Sequence, residues 1–246
     1  MNGIQRRNNM QRTYISDAQS GQKVRLCGFL ENIRNKRTMA FLVLRDTTGK
    51  IQLTIIKDEN PAIAEKIDSL TLDSVITITG QVTANPHVKL NGLEILPETL
   101  HVESVADALP IQDDSAIDHR MDYRWIDLRS ERNQLIFKMQ TWIANSFRQT
   151  LLNENFLEIH TPKLINTASE SGSDVFALEY FDRQAYLAQS PQFYKQMAMA
   201  AGFERVFECC PVFRAEKSHT NRHATEFTGF DIEMSHIDSF HDVMRM

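Results

Sequence analysis

The stretch that most constrains the fold is residues 205–235, where two strand-like runs flank a polar loop. Residues 205–216 and 226–235 are rich in Val, Phe, Ile and Thr, whereas residues 217–225 are polar. This pattern is typical of an antiparallel hairpin with a long loop. Neither a P-loop nor a dinucleotide-binding glycine pattern is present, which agrees with a nucleotide site on an antiparallel sheet.

Strand periodicity gathers candidate ligand-binding groups on one face of this hairpin. Arg214 and Glu216 share a face of the first run. The shared face of the return run carries Phe227, Gly229, Asp231 and Glu233. A planar guanidinium suits a phosphate and an aromatic ring can stack on a base. The ordinary alternatives are a cross-strand ion pair for Arg214 and a core position for Phe227.

The segment FRAEKSHTNRHATEFTGFDIEMS resembles motif 2 of the class II aminoacyl-tRNA synthetases, in the form used by the aspartyl-tRNA synthetases. FRAE, RH, EF and DIEM follow one another at family-like spacing, which is more specific than FRxE alone. The resemblance implies that Arg214 is the catalytic residue, which holds the α-phosphate of ATP. It also implies that Glu216 contacts the adenine edge, that Phe227 stacks on adenine, and that Arg222 and His223 reach the γ-phosphate.

An amino-acid pocket is implied by two further segments. ASESGSDVF, residues 168–176, resembles the family's flipping loop, with Glu170 closing over the amino acid. QSPQFYKQ predicts a helix starting near Gln192, and it resembles the aspartyl form because it carries Lys195. This lysine implies a bound side-chain carboxylate, with Gln192 on the backbone groups of aspartate. The resemblance to motif 2 also implies that Asp231, and with it Glu233, faces the ammonium group of the amino acid. A solvated surface lysine is the ordinary alternative.

The amino-terminal part has the pattern of a small barrel that binds polyanions. Residues 1–57 hold 11 Lys and Arg against 3 Asp and Glu, whereas the remainder holds 16 against 29, which favours a basic module. Strand-like runs, with one helical patch at 61–70, occupy residues 23–30, 40–45, 50–56, 74–82 and 93–102. This order is that of an OB-fold, although other small barrels share it; the synthetase-like region that follows favours the OB-fold.

The segment GFLENIRNKRTMAFLVLRDTTGKIQ resembles the anticodon-binding module of aspartyl-tRNA synthetases. The resemblance implies that Arg34, Phe41 and Gln52 bind the tRNA anticodon. The chemistry is suitable, since an aromatic ring stacks on a splayed base and an amide reads a Watson–Crick edge. Packing of Phe41 inside the barrel is the open alternative.

A long helix is predicted from a cap at Ser130 to about Asn153. Its apolar face holds Ile136, Met139, Ile143, Phe147 and Leu151. The following FLEIHTPKL resembles motif 1, with Pro162 as its proline. We therefore expect a homodimer through the helix and strand at 133–164; the alternative is a buried helix with a strand after it.

These observations predict an α+β fold, in which an OB-fold β-barrel precedes a partial class II catalytic domain, an antiparallel sheet flanked by helices. We expect a disordered lead at 1–13, the OB-fold at 14–104, a hinge at 105–132 and the incomplete catalytic domain at 133–246. Three cysteines without a CxxC pattern fit a reducing cytoplasm and no structural metal. No transmembrane or secretory segment is expected.

The resemblance has one departure: the family's motif 3 and the acidic magnesium ligands before it have no counterpart in these 246 residues. We therefore expect a truncated enzyme with little or no adenylation activity by itself. For the parent protein the resemblance implies aspartate–tRNA ligase activity with ATP, Mg²⁺ and tRNA, and no membrane partner. Two alternatives stay open, an asparaginyl-tRNA synthetase and a non-catalytic tRNA-binding fragment.

Overall fold

The computed structural model describes residues 10–112, 114–167, 174–217, 220 and 222–246. The chain divides into two compact units, Met1–Arg124 and Trp125–Met246. No helix among these described residues is long and apolar enough to cross a membrane.

The first unit contains a closed five-stranded barrel. Its strands are β1 (Lys23–Asn35), β2 (Met39–Arg45), β3 (Lys50–Ile56), β4 (Val75–Ala84) and β5 (Leu93–Ser104). They close in the order β1-β2-β3-β5-β4, with β3 and β5 parallel and the other neighbours antiparallel. Helix α1 (Pro61–Ile67) lies between β3 and β4 and ends three residues before the predicted end. The predicted OB-fold is confirmed.

Alternating side chains build the barrel core. On β2, Ala40, Leu42 and Leu44 are buried, whereas the residues between them are partly exposed, as expected for a strand with one face toward a core. Gly28 allows β1 to pass close to β2, because a Cβ there would lie 2.2 Å from the carbonyl oxygen of Arg45. The barrel therefore presents the outward residues of β2 on its surface.

The predicted hinge at 105–132 is less irregular than its sequence indicated. It contains two short helices, α2 (Ile117–Asp122) and α3 (Arg124–Asp127). Buried Asn133 donates from its side-chain amide to the backbone and side-chain oxygens of Asp127, at 2.8 and 2.9 Å. This ties α3 to the helix that follows it.

Helix α4 (Glu131–Asn153) begins as predicted, because the Ser130 hydroxyl accepts a hydrogen bond from the backbone N–H of Asn133. Its apolar face is only partly covered. Leu151 is buried and Phe147 stacks on Phe230 with ring centres 4.5 Å apart. The residues nearer the start of α4 line an open apolar cavity of about 600 Å³ with Cys209, Thr228 and Phe230.

The described residues of the rest of the second unit form two small sheets and two helices. The strands are β6 (Leu157–Glu158), β7 (Leu164–Ile165), β8 (Ala177–Tyr180), β9 (Arg183–Leu187), β10 (Arg205–Phe213) and β11 (Glu226–Met234); the helices are α5 (Gln192–Ala200) and α6 (Phe240–Arg245). One sheet has the order β11-β10-β6, with β6 parallel to β10, and the other has the order β7-β9-β8. Ala188 links the two sheets. Its backbone N–H donates to the Lys163 carbonyl, and its own carbonyl accepts a hydrogen bond from the backbone N–H of Phe213.

Candidate functional site

The predicted hairpin is present, with one correction at the end of its first strand. Strand β10 ends at Phe213, so Arg214 and Glu216 follow the strand instead of lying on it. The backbone N–H of Arg214 still donates to the Thr225 carbonyl at 2.9 Å. A run of strand-compatible residues does not show where the ladder stops, because that depends on the partner strand.

The register of the hairpin sets which side chains share a face. Phe227 lies opposite Val212, and Asp231 lies opposite Glu208. Opposed residues in an antiparallel pair project to the same side, and alternate residues follow them. The predicted shared face of Phe227, Gly229, Asp231 and Glu233 is therefore present, on the side of the hairpin away from Phe230 and α4.

Arg214 and Phe227 lie together at one end of this face. The guanidinium carbon of Arg214 is 5.6 Å from the centre of the Phe227 ring, within the range of a cation–π contact. Arg214 Nε is buried and finds no hydrogen-bond partner among the described residues. Phe227 is 39 % exposed, so its ring is available to a ligand. The arrangement offers an anion a donor beside an aromatic plate.

Lys195 occupies the other end of the face, in the first turn of α5. It is 3 % exposed, and its Nζ lies 3.2 Å from Asp231 Oδ1 and 3.2 Å from Glu233 Oε2. It also donates to the Ile232 carbonyl at 3.1 Å, while Gln192 Nε2 donates to Glu233 at 3.3 Å. A buried ammonium group is tolerated because these carboxylates compensate its lost hydration. A solvated surface lysine was the wrong alternative.

The other predicted nucleotide contacts are less organised. Glu216 is half-buried, whereas Arg222 and His223 are exposed on the loop. His223 Nδ1 lies 2.6 Å from the Thr220 hydroxyl, and no described hydrogen bond joins either loop residue to Arg214. The predicted lid residue Glu170 lies outside the described residues.

A buried carboxylate that the sequence reasoning missed lies on the same face. Glu208 is 1 % exposed. It accepts hydrogen bonds from the Thr161 backbone and hydroxyl, both at 2.7 Å, and from Lys163 Nζ at 3.0 Å. Burial alone would raise the pKa of Glu208, but these hydrogen bonds outweigh burial and lower the pKa below 4.5. An acidic residue inside the apolar run VFECC was the signal for it.

Cys210 lies next to this carboxylate and is buried. Burial raises the pKa of its thiol to about 11, so the thiol is protonated at neutral pH. Among the residues that the structure describes, no group of three His, Cys, Asp or Glu side chains is placed to hold a metal ion.

The predicted anticodon-binding residues lie on the outer surface of β1, β2 and β3. Arg34 is directly opposite Phe41, and Phe41 is directly opposite Thr54. Arg34 is exposed and Phe41 is partly exposed. Phe41 alternates with the buried core residues Ala40 and Leu42, so it does not pack inside the barrel. Its ring is therefore accessible from the surface.

Gln52 is held by a second buried carboxylate that the sequence did not reveal. Glu94 is 8 % exposed and accepts hydrogen bonds from Thr54 at 2.5 Å and Asn85 at 2.9 Å. Gln52 Nε2 donates to Thr54 at 3.1 Å and to Glu94 at 3.4 Å. Because its amide nitrogen is engaged here, the amide group of Gln52 has a fixed orientation on the barrel surface.

Comparison with known proteins gives two family matches. Residues 116–246 match the family described as tRNA synthetases class II (D, K and N), and residues 24–103 match the OB-fold nucleic acid binding domain.

Curated relatives include the aspartate–tRNA(Asp/Asn) ligase of Methanopyrus kandleri, 44 % identical over 94 % of this chain and 55 % of the relative. The aspartate–tRNA(Asp) ligase of Picrophilus torridus is 43 % identical over 95 % of this chain and 56 % of the relative. The chain spans about half the length of the curated relatives it matches.

Solved structures of the same kind are similar over nearly all of the chain. The asparaginyl-tRNA synthetase of Pyrococcus horikoshii, complexed with asparaginyl-adenylate, has a TM-score of 0.89 at 32 % identity and covers 96 % of this chain and 55 % of its own. The aspartyl-tRNA synthetase of Entamoeba histolytica has a TM-score of 0.80 at 32 % identity. The match covers 96 % of this chain and 52 % of the Entamoeba chain.

Proposed function

The chain belongs to the class II tRNA synthetases of the D, K and N group, and from that membership we propose that the whole protein is an aspartate–tRNA ligase. In this proposal it activates aspartate with ATP and transfers the aspartyl group to tRNA. The observation that carries the proposal is buried Lys195, held between Asp231 and Glu233. In this proposal the buried ammonium group of Lys195 binds the side-chain carboxylate of the substrate.

The nucleotide subsite lies at the Arg214 end of the hairpin. Arg214 holds the α-phosphate, because a guanidinium with a donor unpaired among the described residues suits a phosphate oxygen, and Phe227 stacks on the adenine ring. Glu216 accepts from the adenine amino group. Arg222 and His223 are exposed on the loop, where they approach the outer phosphates.

The aspartate subsite lies at the Lys195 end. Lys195 binds the side-chain carboxylate, and Asp231 and Glu233 bind the ammonium group while they keep Lys195 in place. Gln192, which already contacts Glu233, holds the backbone groups of the amino acid. The position of Lys195 in the first turn of α5 supports this assignment, because the partial positive charge of a helix start favours an anion. From the resemblance of residues 168–176 alone, we also assign Glu170 to the amino acid.

The reaction proceeds without a protein nucleophile. An α-carboxylate oxygen of aspartate attacks the α-phosphorus of ATP, the bond from that phosphorus to the bridging oxygen breaks, and pyrophosphate leaves. A ribose hydroxyl at the tRNA end then attacks the acyl carbon and AMP leaves. The side chains contribute positioning and electrostatic stabilisation, with Arg214 offsetting the charge that develops at the α-phosphate.

ATP enters with Mg²⁺, which neutralises charge on the phosphate oxygens that bind it. The described residues offer no three-ligand group for a metal ion, and Asp231 and Glu233 are both engaged by Lys195. The metal is therefore assigned to the nucleotide.

The barrel binds the tRNA anticodon in this proposal. Phe41 stacks on an unpaired base and Gln52 reads a base edge, with its amide oriented by Glu94. Arg34, opposite Phe41, contacts phosphate or base. The positive charge of residues 1–57 supports this assignment.

We extend the proposal to assembly, location and domain organisation. Ile136, Met139 and Ile143 are 55, 43 and 49 % exposed on α4, which supports a homodimer through 133–164; sedimentation of the whole protein as a monomer would exclude it.

We propose a cytoplasmic protein, which fractionation of cells tests. The domain boundaries at 13, 104 and 132 remain proposals, and limited proteolysis at other positions would contradict them.

A second candidate, asparagine–tRNA ligase, is favoured by the similarity to the Pyrococcus horikoshii asparaginyl enzyme. The two proposals differ in the side chain that Lys195 meets. ATP–pyrophosphate exchange of the whole protein, with L-aspartate or L-asparagine as the amino acid, separates them. We expect exchange that depends on aspartate, and a preference for asparagine would overturn the assignment of Lys195.

A further inference from the structure

Lys163 and Glu208 form a second lysine–carboxylate pair beside the proposed aspartate pocket. Lys163 Nζ lies 3.0 Å from each carboxylate oxygen of Glu208. Glu208 is 1 % exposed, so water contributes little to its solvation. The segment that carries Lys163 is fixed to β10, because Thr161 donates twice to the same carboxylate. The ammonium group is therefore held at a defined position.

This pair faces the carboxylate that is proposed to bind the substrate ammonium group. Glu208 and Asp231 are cross-strand partners on β10 and β11. Directly opposed residues have Cβ atoms about 4.5–5.5 Å apart and project to the same side, and two like charges there repel each other. Lys163 offsets the charge of Glu208, as Lys195 offsets that of Asp231.

The local charge balance makes the pocket sensitive to the loss of either lysine. At the Lys195 end of the face, away from Arg214, three described carboxylates, Glu208, Asp231 and Glu233, lie near two ammonium groups, Lys163 and Lys195, which leaves one net negative charge at that end. The zwitterionic backbone of an amino acid adds no net charge. The side chain of aspartate adds one further negative charge, whereas that of asparagine adds none.

We propose that Lys163 is a specificity-determining residue, which neutralises Glu208 and thereby lets the pocket accept an anionic side chain. This inference rests on the proposed aspartate chemistry. Lys163 does not contact the substrate but acts through Glu208 on the potential at Asp231. At an effective dielectric constant near 20, unit charges on neighbouring side chains interact strongly enough to change an affinity by about tenfold.

The test compares four forms of the whole protein: the unchanged protein, Lys163→Met, Glu208→Gln and the double variant. Isothermal titration calorimetry measures the dissociation constants of L-aspartate and L-asparagine for each. We expect Lys163→Met to weaken aspartate binding about tenfold and asparagine binding much less. Glu208→Gln, which removes a negative charge, should not weaken aspartate binding. The double variant, which restores the net charge, should bind aspartate nearly as the unchanged protein does.

A purely structural role for the pair gives a different pattern. It predicts that Glu208→Gln weakens aspartate binding as Lys163→Met does, or that Lys163→Met weakens both ligands equally; either result overturns the inference. Thermal unfolding shows whether each of the four forms folds. If Lys163→Met does not fold, the aspartate affinity of Glu208→Gln decides alone. If the unchanged protein binds no aspartate, the proposed function fails together with the inference. Equal aspartate affinities in all four forms refute the inference alone.

Discussion

The guanidinium carbon of Arg214 lies 5.6 Å from the centre of the Phe227 ring, although strand β10 ends one residue before Arg214. The buried Nε of Arg214 has no hydrogen-bond partner among the described residues. A buried donor without an acceptor costs about 1–3 kcal/mol. An anion above the Phe227 ring removes that cost, which supports a phosphate subsite here.

The substitution Arg214→Lys tests this subsite, since it keeps the charge but loses the planar donor fork. We expect the rate of ATP–pyrophosphate exchange in the whole protein to fall about 100-fold, by analogy with the loss of one transition-state donor. Arg183→Lys is the control, because Arg183 is 73 % exposed; its rate should stay within about twofold. Unchanged exchange by the Arg214 variant would show that the charge alone suffices.

Replacing Lys195 by methionine is expected to destabilise the second unit. The change leaves the partly exposed Asp231 and Glu233 without their shared cation, and removing the hydrogen-bond partner of such a partly buried group costs about 1–3 kcal/mol. Urea unfolding of the chain measures the free energy of unfolding. The triple variant Lys195→Met, Asp231→Asn, Glu233→Gln should recover most of the loss because no unpaired charge remains.

A control for that experiment is Lys23→Met, on the barrel. Lys23 and its partner Glu98 are both 49 % exposed, and an exposed pair contributes about 0–1 kcal/mol. If both single variants lose the same stability, Lys195 is not electrostatically coupled to its two carboxylates.

Local signals predicted much of the fold. Alternation of apolar residues located the five barrel strands, and a serine cap located the start of α4. The end of β10 could not be predicted, because Arg214 and Glu216 continue a strand-compatible pattern and the ladder ends only where its partner ends. Nor could the exposure of Ile136 be predicted, because an apolar stripe does not reveal what covers it.

The candidate site was likewise predicted only in part from the sequence. The resemblance of QSPQFYKQ to the aspartyl form pointed to Lys195, and strand periodicity in FTGFDIEM put Asp231 and Glu233 on one face; the structure brings these three side chains together. Glu208 and Glu94 were missed because their hydrogen-bond partners include residues 47 and 42 positions away in sequence, Thr161 and Gln52. A buried carboxylate is identified by such distant partners, not by its neighbours in the chain.

The lowered pKa of Glu208 gives a pH dependence with a defined sign. Its carboxylate has a lower pKa in the folded chain than the 4.5 of an ordinary glutamate. It therefore contributes stability above that value, and the contribution is lost as the pH falls through the folded pKa. Urea unfolding at about pH 7, 5, 4 and 3 should show a shallower acid loss for Glu208→Gln than for the unchanged chain. An equally steep loss in both would contradict the assignment.

Phe41 is expected to contribute to tRNA binding more than to stability, because its ring lies on the outer surface of β2 and not in the barrel core. Base–aromatic stacking is worth about 1–3 kcal/mol, so Phe41→Ala should weaken tRNA binding roughly 5- to 150-fold, measured by fluorescence anisotropy at fixed salt. Leu72→Ala is the control: Leu72 is 53 % exposed, and its neighbour Asp73 pairs with Arg45, four residues along β2 from Phe41. Equal binding losses in both variants would mean that Phe41 does not stack on a base.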